Sequence, residues 1–386
     1  MTVGVPTETA PGEKRVALVP ESARLISGRG LRVLVQSGAG APAGYPDDAY
    51  KDADAEIIPD LNGLLSRSDV VLKVVGPHDG GSGDQSEVIA FREGGALISF
   101  LFPLSNLETV RRLVDRRITA FAMELMPRIA RAQSMDALSS MSTVAVYRAA
   151  LLAAAALPKF FPMLMTAAGT LPPARVFVIG AGVAGLQAIA TCKRLGAVVH
   201  AFDVRPAVKQ QVESLGAKFV DMGLSAEEAE DASGYAKEVS ADTHVRELDV
   251  IAKHLPKADV VITTALVPGK RAPVLLTADT VKLLPEGSVI VDLAAMNGGN
   301  CELTEPGKTV RHSGVTIIGP VDIPSSMAPH ASRMYSKNIT EFLLHIVKEG
   351  EWALDMEDEI VRGPLVTHEG RIMNEPTRLA LERGDS

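Results

Sequence analysis

The hexapeptide Gly180-Ala181-Gly182-Val183-Ala184-Gly185 follows the apolar run Val176–Ile179 and opens an amphipathic stretch, Val183–Leu195. That context turns a weak glycine motif into a dinucleotide fingerprint. Gly180 supplies a tight turn, Gly182 lets a pyrophosphate approach the backbone, and Gly185 lets helix and strand pack closely. The first helical amides, at Val183 and Ala184, then face the phosphates with the positive end of the helix dipole. A second apolar run, Val198–Phe202, ends at Asp203, eighteen residues beyond Gly185. A carboxylate there bonds the adenosine ribose hydroxyls and repels a 2′-phosphate, which favours NAD(H) over NADP(H). Arg205 argues the other way, because a neighbouring guanidinium accepts that phosphate. The plainer alternative is a glycine-rich turn of an ordinary α/β domain, with Asp203 as a helix cap.

A second group of chemically able side chains lies in Met126-Pro127-Arg128-Ile129-Ala130-Arg131-Ala132-Gln133-Ser134-Met135-Asp136. Gln133 both donates and accepts hydrogen bonds, so it can hold ribose hydroxyls. Arg128 can pair with Asp136 and fix the loop. By composition alone, such a loop is solvated and its charges belong to a helix start.

The elements that must position these residues alternate along the chain. Val3–Val5, Leu31–Gln36, Val70–Val75, Ala96–Leu101 and Ile118–Met123 read as strands, with helical patterns at Pro20–Ser27, Asp48–Ala53 and Asn106–Asp115. The second half repeats the grammar with strands at Val176–Ile179, Val198–Phe202, Val260–Thr264, Val289–Asp292 and Thr316–Gly319. Its helices are Val183–Leu195, Pro206–Leu215 and Thr277–Leu284. A helix from about Asp136 to Leu157 joins the halves and ends at Pro158. The prolines after Gly319 and the helical run Asn338–Lys348 suggest a tail that returns to the first half. The expectation is an α/β protein of two Rossmann-like, doubly wound parallel-sheet domains joined by long helices. The first takes residues 1–137 plus 321–386, and the second takes 138–320.

Composition narrows the partners. A chain of 386 residues exceeds one ordinary core. Aromatics make up only 4%, so the core rests on aliphatic residues, as buried parallel sheets do. A formal charge of −8 disfavours nucleic acid. Cys192 and Cys301 lack metal-ligand spacing, so no metal site is expected, and a reducing compartment fits. The N-terminus lacks the basic start and apolar core of a signal peptide. The stretch Val144–Met165 is interrupted by Arg148, Pro158, Lys159 and Pro162, which suggests a buried helix and a soluble chain.

Longer motifs carry a resemblance. Gly4-Val5-Pro6-Thr7-Glu8-Thr9, Glu13-Lys14-Arg15-Val16-Ala17, Gln36-Ser37-Gly38-Ala39-Gly40 and Leu72-Lys73-Val74 resemble the alanine dehydrogenase and nicotinamide nucleotide transhydrogenase superfamily. The polar loop Pro127–Asp136 with Leu138-Ser139-Ser140 resembles the transhydrogenase branch. So do Thr166–Thr170, Gly234–Lys237, Thr263–Lys270 and Asn297–Cys301. The resemblance implies hydride transfer between NAD(H) on this chain and NADP(H) on a partner component, coupled to proton movement through a membrane-spanning component. It implies that Arg128, Gln133, Asp136 and Ser139 contact the nicotinamide end. It adds Val204, Thr264, Ala265 and Leu266 to the cofactor contacts, and places Tyr235 in a mobile loop that closes over nucleotide. A homodimer, held at the cytoplasmic face of the inner membrane through partner subunits, follows from the same resemblance.

Two rivals remain open from sequence. An alanine dehydrogenase-like enzyme needs a proton acceptor. The resemblance places that branch's substrate-binding lysine at Val75 and its catalytic histidine at Phe102, neither of which transfers a proton. Arg15 remains, and reads as a structural ion-pair partner. The other rival is a non-catalytic NAD-sensing module.

Overall fold

In a computed structural model the chain is described over residues 1–77, 87–223, 241–266 and 271–384. It divides into two compact units, residues 1–141 with 324–386, and residues 142–323.

The first unit is built on an eight-stranded sheet. Six strands run parallel in the spatial order Ala55–Ile58, Arg32–Gln36, Thr2–Val5, Val70–Val75, Ala96–Phe100, Thr119–Ala122. This is the 3-2-1-4-5-6 order of a doubly wound fold. Leu365–His368 adds antiparallel to Thr119–Ala122, and Arg371–Ile372 closes that edge. The strands Val70–Val75 and Ala96–Phe100 are buried along nearly their whole length, as sheets covered on both faces are. The register between them shifts at Leu72–Val75. The amides of Val74 and Val75 donate to the Glu8 carboxylate, at 2.5 and 3.3 Å.

The second unit holds a seven-stranded sheet. Its order is Lys218–Val220, Val198–Phe202, Arg175–Ile179, Val260–Thr263, Val289–Asp292, Val315–Ile318, Thr309–His312. Only the last pair is antiparallel. Chain order reverses direction at Arg175–Ile179, which therefore carries the topological switch point at its carboxyl end. Val176, Val178, Ile262 and Val291 pack under helix Val183–Arg194 through Ala188, Ile189 and Cys192. Phe177, Ile179, Val261 and Ile290 face the opposite layer, with Ile251 and Leu255.

Helix Ala137–Ala156 carries the chain across the boundary. It starts one residue later than the sequence suggests, because the Asp136 side chain caps it, and ends one residue earlier, at Ala156. The helix is long and apolar enough to cross a membrane. Its residues Val146, Ala149, Ala150 and Ala153 are instead buried in the core of the second unit. Expected helices are shorter where turns compete: Pro206–Leu215 is a 3-10 turn, Pro206–Val208, followed by a helix, Lys209–Ser214. Thr277–Leu284 is helical only over Ala278–Val281, with Thr277 as its N-cap. Tyr235 and its neighbour Gly234 lie outside the described residues, as do Val267–Lys270.

Candidate functional site

The glycine turn sits at the switch point. Gly180 has φ +93°, a conformation L side chains rarely adopt, and its amide donates to Phe202 O at 2.8 Å. The chain then enters helix Val183–Arg194 through Gly182, and no side chain caps that helix. A Cβ on Gly185 would lie 1.8 Å from Gly180 O, so glycine alone permits this helix to lean on its strand. A Cβ on Gly182 would meet nothing closer than 3.5 Å, where the Arg205 guanidinium stands. The turn therefore presents open backbone and uncapped amides, and Val183 beside them is exposed. These features fit the pyrophosphate of a dinucleotide.

The neighbouring strand ends complete the rim. Thr264 ties the turn down: its amide donates to Ile179 O at 2.9 Å and its hydroxyl to Gly180 O at 3.0 Å. Ala265 and Leu266 follow, with Leu266 half exposed. Two buried residues that sequence reasoning missed hold this loop. Asn300 accepts from Ala265 N at 3.1 Å and donates to Ala265 O at 2.9 Å. Asp292 accepts from Thr263 Oγ1, Ala294 N, Cys301 N and Thr304 Oγ1 at 2.7–3.0 Å. Asn300 lies in the motif Asn297–Cys301, so the sequence marked the segment without showing its task.

Asp203 stands where expected, buried at the end of Val198–Phe202. Its four hydrogen bonds are all internal. Oδ2 accepts from Ala181 N at 2.7 Å and from Arg205 Nη2 at 2.8 Å. Oδ1 accepts from Arg205 N at 2.9 Å and Nε at 2.8 Å. A carboxylate offers about four such positions, so Arg205 occupies three of the places that ribose hydroxyls would use. Val204 is half-buried between them. Glu247, also missed, is buried within reach of the Asp203 charge. Burial and that charge push its carboxyl up, against the hydrogen bond from His244 at 3.0 Å.

The polar loop belongs to the first unit. It forms a 3-10 turn, Ala130–Met135, held from beneath by buried Ala132 and Met135. Asn338 Nδ2 donates to Ser134 O at 2.7 Å and anchors it to helix Ala328–Ile346. Between these anchors Gln133 is exposed, and its amide has no partner among the described residues. Arg128 is exposed as well. Asp136 caps helix Ala137–Ala156, with Oδ1 accepting from Ser139 N at 2.8 Å and Oδ2 from Ser139 Oγ at 2.5 Å. The structure thus brings Asp136 and Ser139 together as one rigid corner, while Arg131 reaches Asp358 at 3.1 Å.

The positions that matter for the amino-acid dehydrogenase alternative are also clear. Arg15 makes a two-pronged pair with Glu13, at 2.7 and 2.5 Å, with both groups largely buried. Burial opposes ionisation of Glu13, but Arg15 outweighs it and holds the carboxyl below its usual range. Phe102 has φ +44° and is half exposed, its amide donating to Glu124. Lys73 is wholly buried and paired with Glu87 at 2.5 and 2.6 Å. Beside it, burial lifts the carboxyl of Glu8 to about 7 despite the Lys73 charge. Glu124 rises to about 7 through burial as well.

These geometries can be set beside known proteins. Family models for the N-terminal and C-terminal domains of alanine dehydrogenase/PNT match residues 4–145 and 149–375. The chain is 49% identical over 377 residues to an NAD(P) transhydrogenase subunit alpha chain of Rhodospirillum rubrum, covering 97% of this chain and 98% of that one. The crystal structure of transhydrogenase from Sinorhizobium meliloti superposes with a TM-score of 0.85 at 42% identity, over 96% of this chain and 100% of that one. An L-alanine dehydrogenase structure is more distant, at 25% identity and a TM-score of 0.82, over 99% of both chains. Matched over both its domains, the chain belongs to the alanine dehydrogenase/PNT family.

Proposed function

We propose that this chain is the NAD(H)-binding component of a proton-translocating nicotinamide nucleotide transhydrogenase. When bound, NADH supplies a hydride that passes directly to NADP⁺ on a partner component, and a membrane component couples the transfer to proton movement. The chain's own residues bind and orient. The turn Gly180–Gly185 holds the pyrophosphate, with Val183 and Ala184 amides toward it. Asp203, Val204 and Arg205 serve the adenosine ribose, and Thr264, Ala265 and Leu266 line the facing strand end. Gln133 and Arg128 hold the nicotinamide end, on a loop fixed by Asp136 and Ser139. Tyr235 lies outside the described residues.

The observation that carries this reading against the amino-acid dehydrogenase is what stands at three positions. Val75 and Phe102 cannot move a proton, and Arg15 is spent on Glu13. Oxidising an amino acid requires a base; passing hydride between two nicotinamides requires only placement, with the reacting carbons roughly 3–3.5 Å apart. The 42% identity to the transhydrogenase structure, against 25% to the alanine dehydrogenase structure, points the same way.

A homodimer accompanies this function. The hairpin of Leu164–Thr166 and Gly169–Leu171 leaves Met163, Met165 and Leu171 exposed by 56%, 78% and 45%. An apolar ribbon of that kind is a surface for a second copy. Attachment to the cytoplasmic face of the inner membrane follows through the partner subunits.

The experiment mixes the purified chain with NAD⁺ and L-alanine, and separately mixes NADH-loaded chain with an NADP⁺-analogue-loaded partner component. The proposal expects no NADH in the first and transfer in the second. NADH formed from alanine would overturn it, and no transfer to the partner would favour an NAD sensor.

A further inference from the structure

The loop that carries Gln133 has a period of three. In the 3-10 turn Ala130–Met135, residues three apart lie over one another. Ala132 and Met135 share a buried face, Ala130 and Gln133 share an exposed one, and Arg131 shares the third with Ser134. The direction in which Gln133 points is therefore set by how far the turn is rolled about its own axis. Apolar contact under Ala132 and Met135 is non-directional and leaves that roll loosely defined. Hydrogen bonds to the third face define it.

Two such grips come from one helix. Asn338 and His345 lie seven residues apart in Ala328–Ile346, on one face and about 10 Å apart along the axis. Asn338 Nδ2 donates to Ser134 O at 2.7 Å. His345 reaches the loop through Asp358. Its Nε2 donates to Asp358 Oδ2 at 2.8 Å, because a carboxylate only accepts. Asp358 Oδ1 in turn accepts from Arg131 Nη2 at 3.1 Å.

Asp358 is itself firmly set. It caps helix Glu359–Arg362 by accepting from the Ile360 amide at 3.1 Å, and Ile360 and Val361 are buried. The Ile360 amide first, against a smaller cost of burial, and then His345 and Arg131 hold its carboxyl below the usual range. The same short helix leans on the entry to the loop: a Cβ on Gly363 would stand 3.2 Å from Pro127 Cδ and 3.4 Å from Leu125 O. Exposed ion pairs usually contribute little, because two long side chains must be ordered. Here Asp358 is 14% exposed and already ordered, so only Arg131, at 63%, has freedom to lose.

We propose that Asp358 is a positioning residue for hydride transfer: braced by His345, it holds Arg131 and so fixes the direction in which the loop presents Gln133. The inference rests on the reading of Gln133 as a nicotinamide contact.

The test begins with amide hydrogen exchange over residues 128–136 of the full chain, without nucleotide or partner component. Asp358→Ser keeps a capping oxygen for Ile360 but is too short to reach Arg131. Arg131→Gln alters an exposed side chain and leaves the cap untouched. Each variant should speed exchange of the Ala132 amide, which donates to Ile129 O at 3.0 Å, by about tenfold at an unchanged melting temperature. Each should also slow single-turnover hydride transfer to an NADP⁺-analogue-loaded partner component by about tenfold, with NADH affinity within about twofold of wild type. The double variant should be no worse than either single one, because both remove the same contact. Unchanged exchange in Arg131→Gln would overturn the proposal and leave Asp358 as a helix cap alone. Faster exchange with an undiminished transfer rate, or additive losses in the double variant, would overturn it as well. A wild-type chain that passes no hydride would refute the functional reading instead, and exchange would still judge the brace.

Discussion

Arg205 occupies three of the four acceptor positions on Asp203. Ribose hydroxyls can reach that carboxylate only when the guanidinium turns away, so the residue competes with the nucleotide it helps to frame. Arg205→Ala is expected to tighten NADH binding several-fold, less than the roughly 1.5–3 kcal/mol of a charged hydrogen bond. Asp203→Ala should weaken NADH by about tenfold or more and narrow the preference over NADPH. Calorimetric titration with both nucleotides checks the pair; weaker binding on loss of Arg205 would mean that the guanidinium contacts ligand directly. Gln133 calls for a different measurement, because its amide has no internal partner to lose among the described residues. Gln133→Asn shortens the reach by one methylene and should slow hydride transfer by about 10²-fold, while NADH affinity changes little. Equal losses in rate and affinity would remove its positioning role. The glycine turn and the position of Asp203 were legible from spacing, and Gln133 was named only through the resemblance its loop carries. The Arg205 clamp, Asn300, Asp292 and Glu247 were not legible, because each acts through a partner distant in sequence or through a rotamer.

At the scale of elements, the turn and the buried carboxyls set the predictions. Gly185→Ala places a methyl group inside contact distance of Gly180 O, and the helix must move off its strand. The second unit should lose about 1–3 kcal/mol of stability, measured by urea denaturation, together with nucleotide affinity. In the first unit, Glu8 and Glu124 have folded pKa values near 7 against an ordinary 4.5. A raised pKa means that the folded state holds the proton more tightly. Their contribution to stability is therefore complete below about pH 4.5 and is lost as pH rises through about 7. Melting temperature should fall across that window, and Glu8→Gln should flatten part of the fall. An unchanged slope in the variant would place the effect elsewhere. The strands that precede these groups, Thr2–Val5 and Thr119–Ala122, were readable as apolar runs. Ala55–Ile58, Lys218–Val220 and Leu365–His368 were missed because they are short edge or near-edge strands with polar interruptions. Helix Ala241–His254 was missed because its apolar positions are sparse among charges.

For the whole molecule, the exposed ribbon around Met165 is the feature a single chain leaves unexplained. Met165→Asp should shift the chain from dimer to monomer in sedimentation while leaving its melting profile largely intact, because the side chain is 78% exposed. A dimer unaffected by that change would move the interface to another surface. The two-unit α/β architecture followed from strand and helix alternation, since doubly wound sheets are written as repeated apolar runs. Assembly is not written that way, because an interface depends on shape that a linear pattern does not carry.

The most direct test of the account measures single-turnover hydride transfer from NADH on this chain to an NADP⁺ analogue on the partner component, between about pH 6 and 9. If the chain positions the nicotinamide and contributes no acid or base, the rate constant stays level across that range. A bell-shaped or sigmoidal profile that disappears in a variant of a titrating side chain of this protein would contradict it.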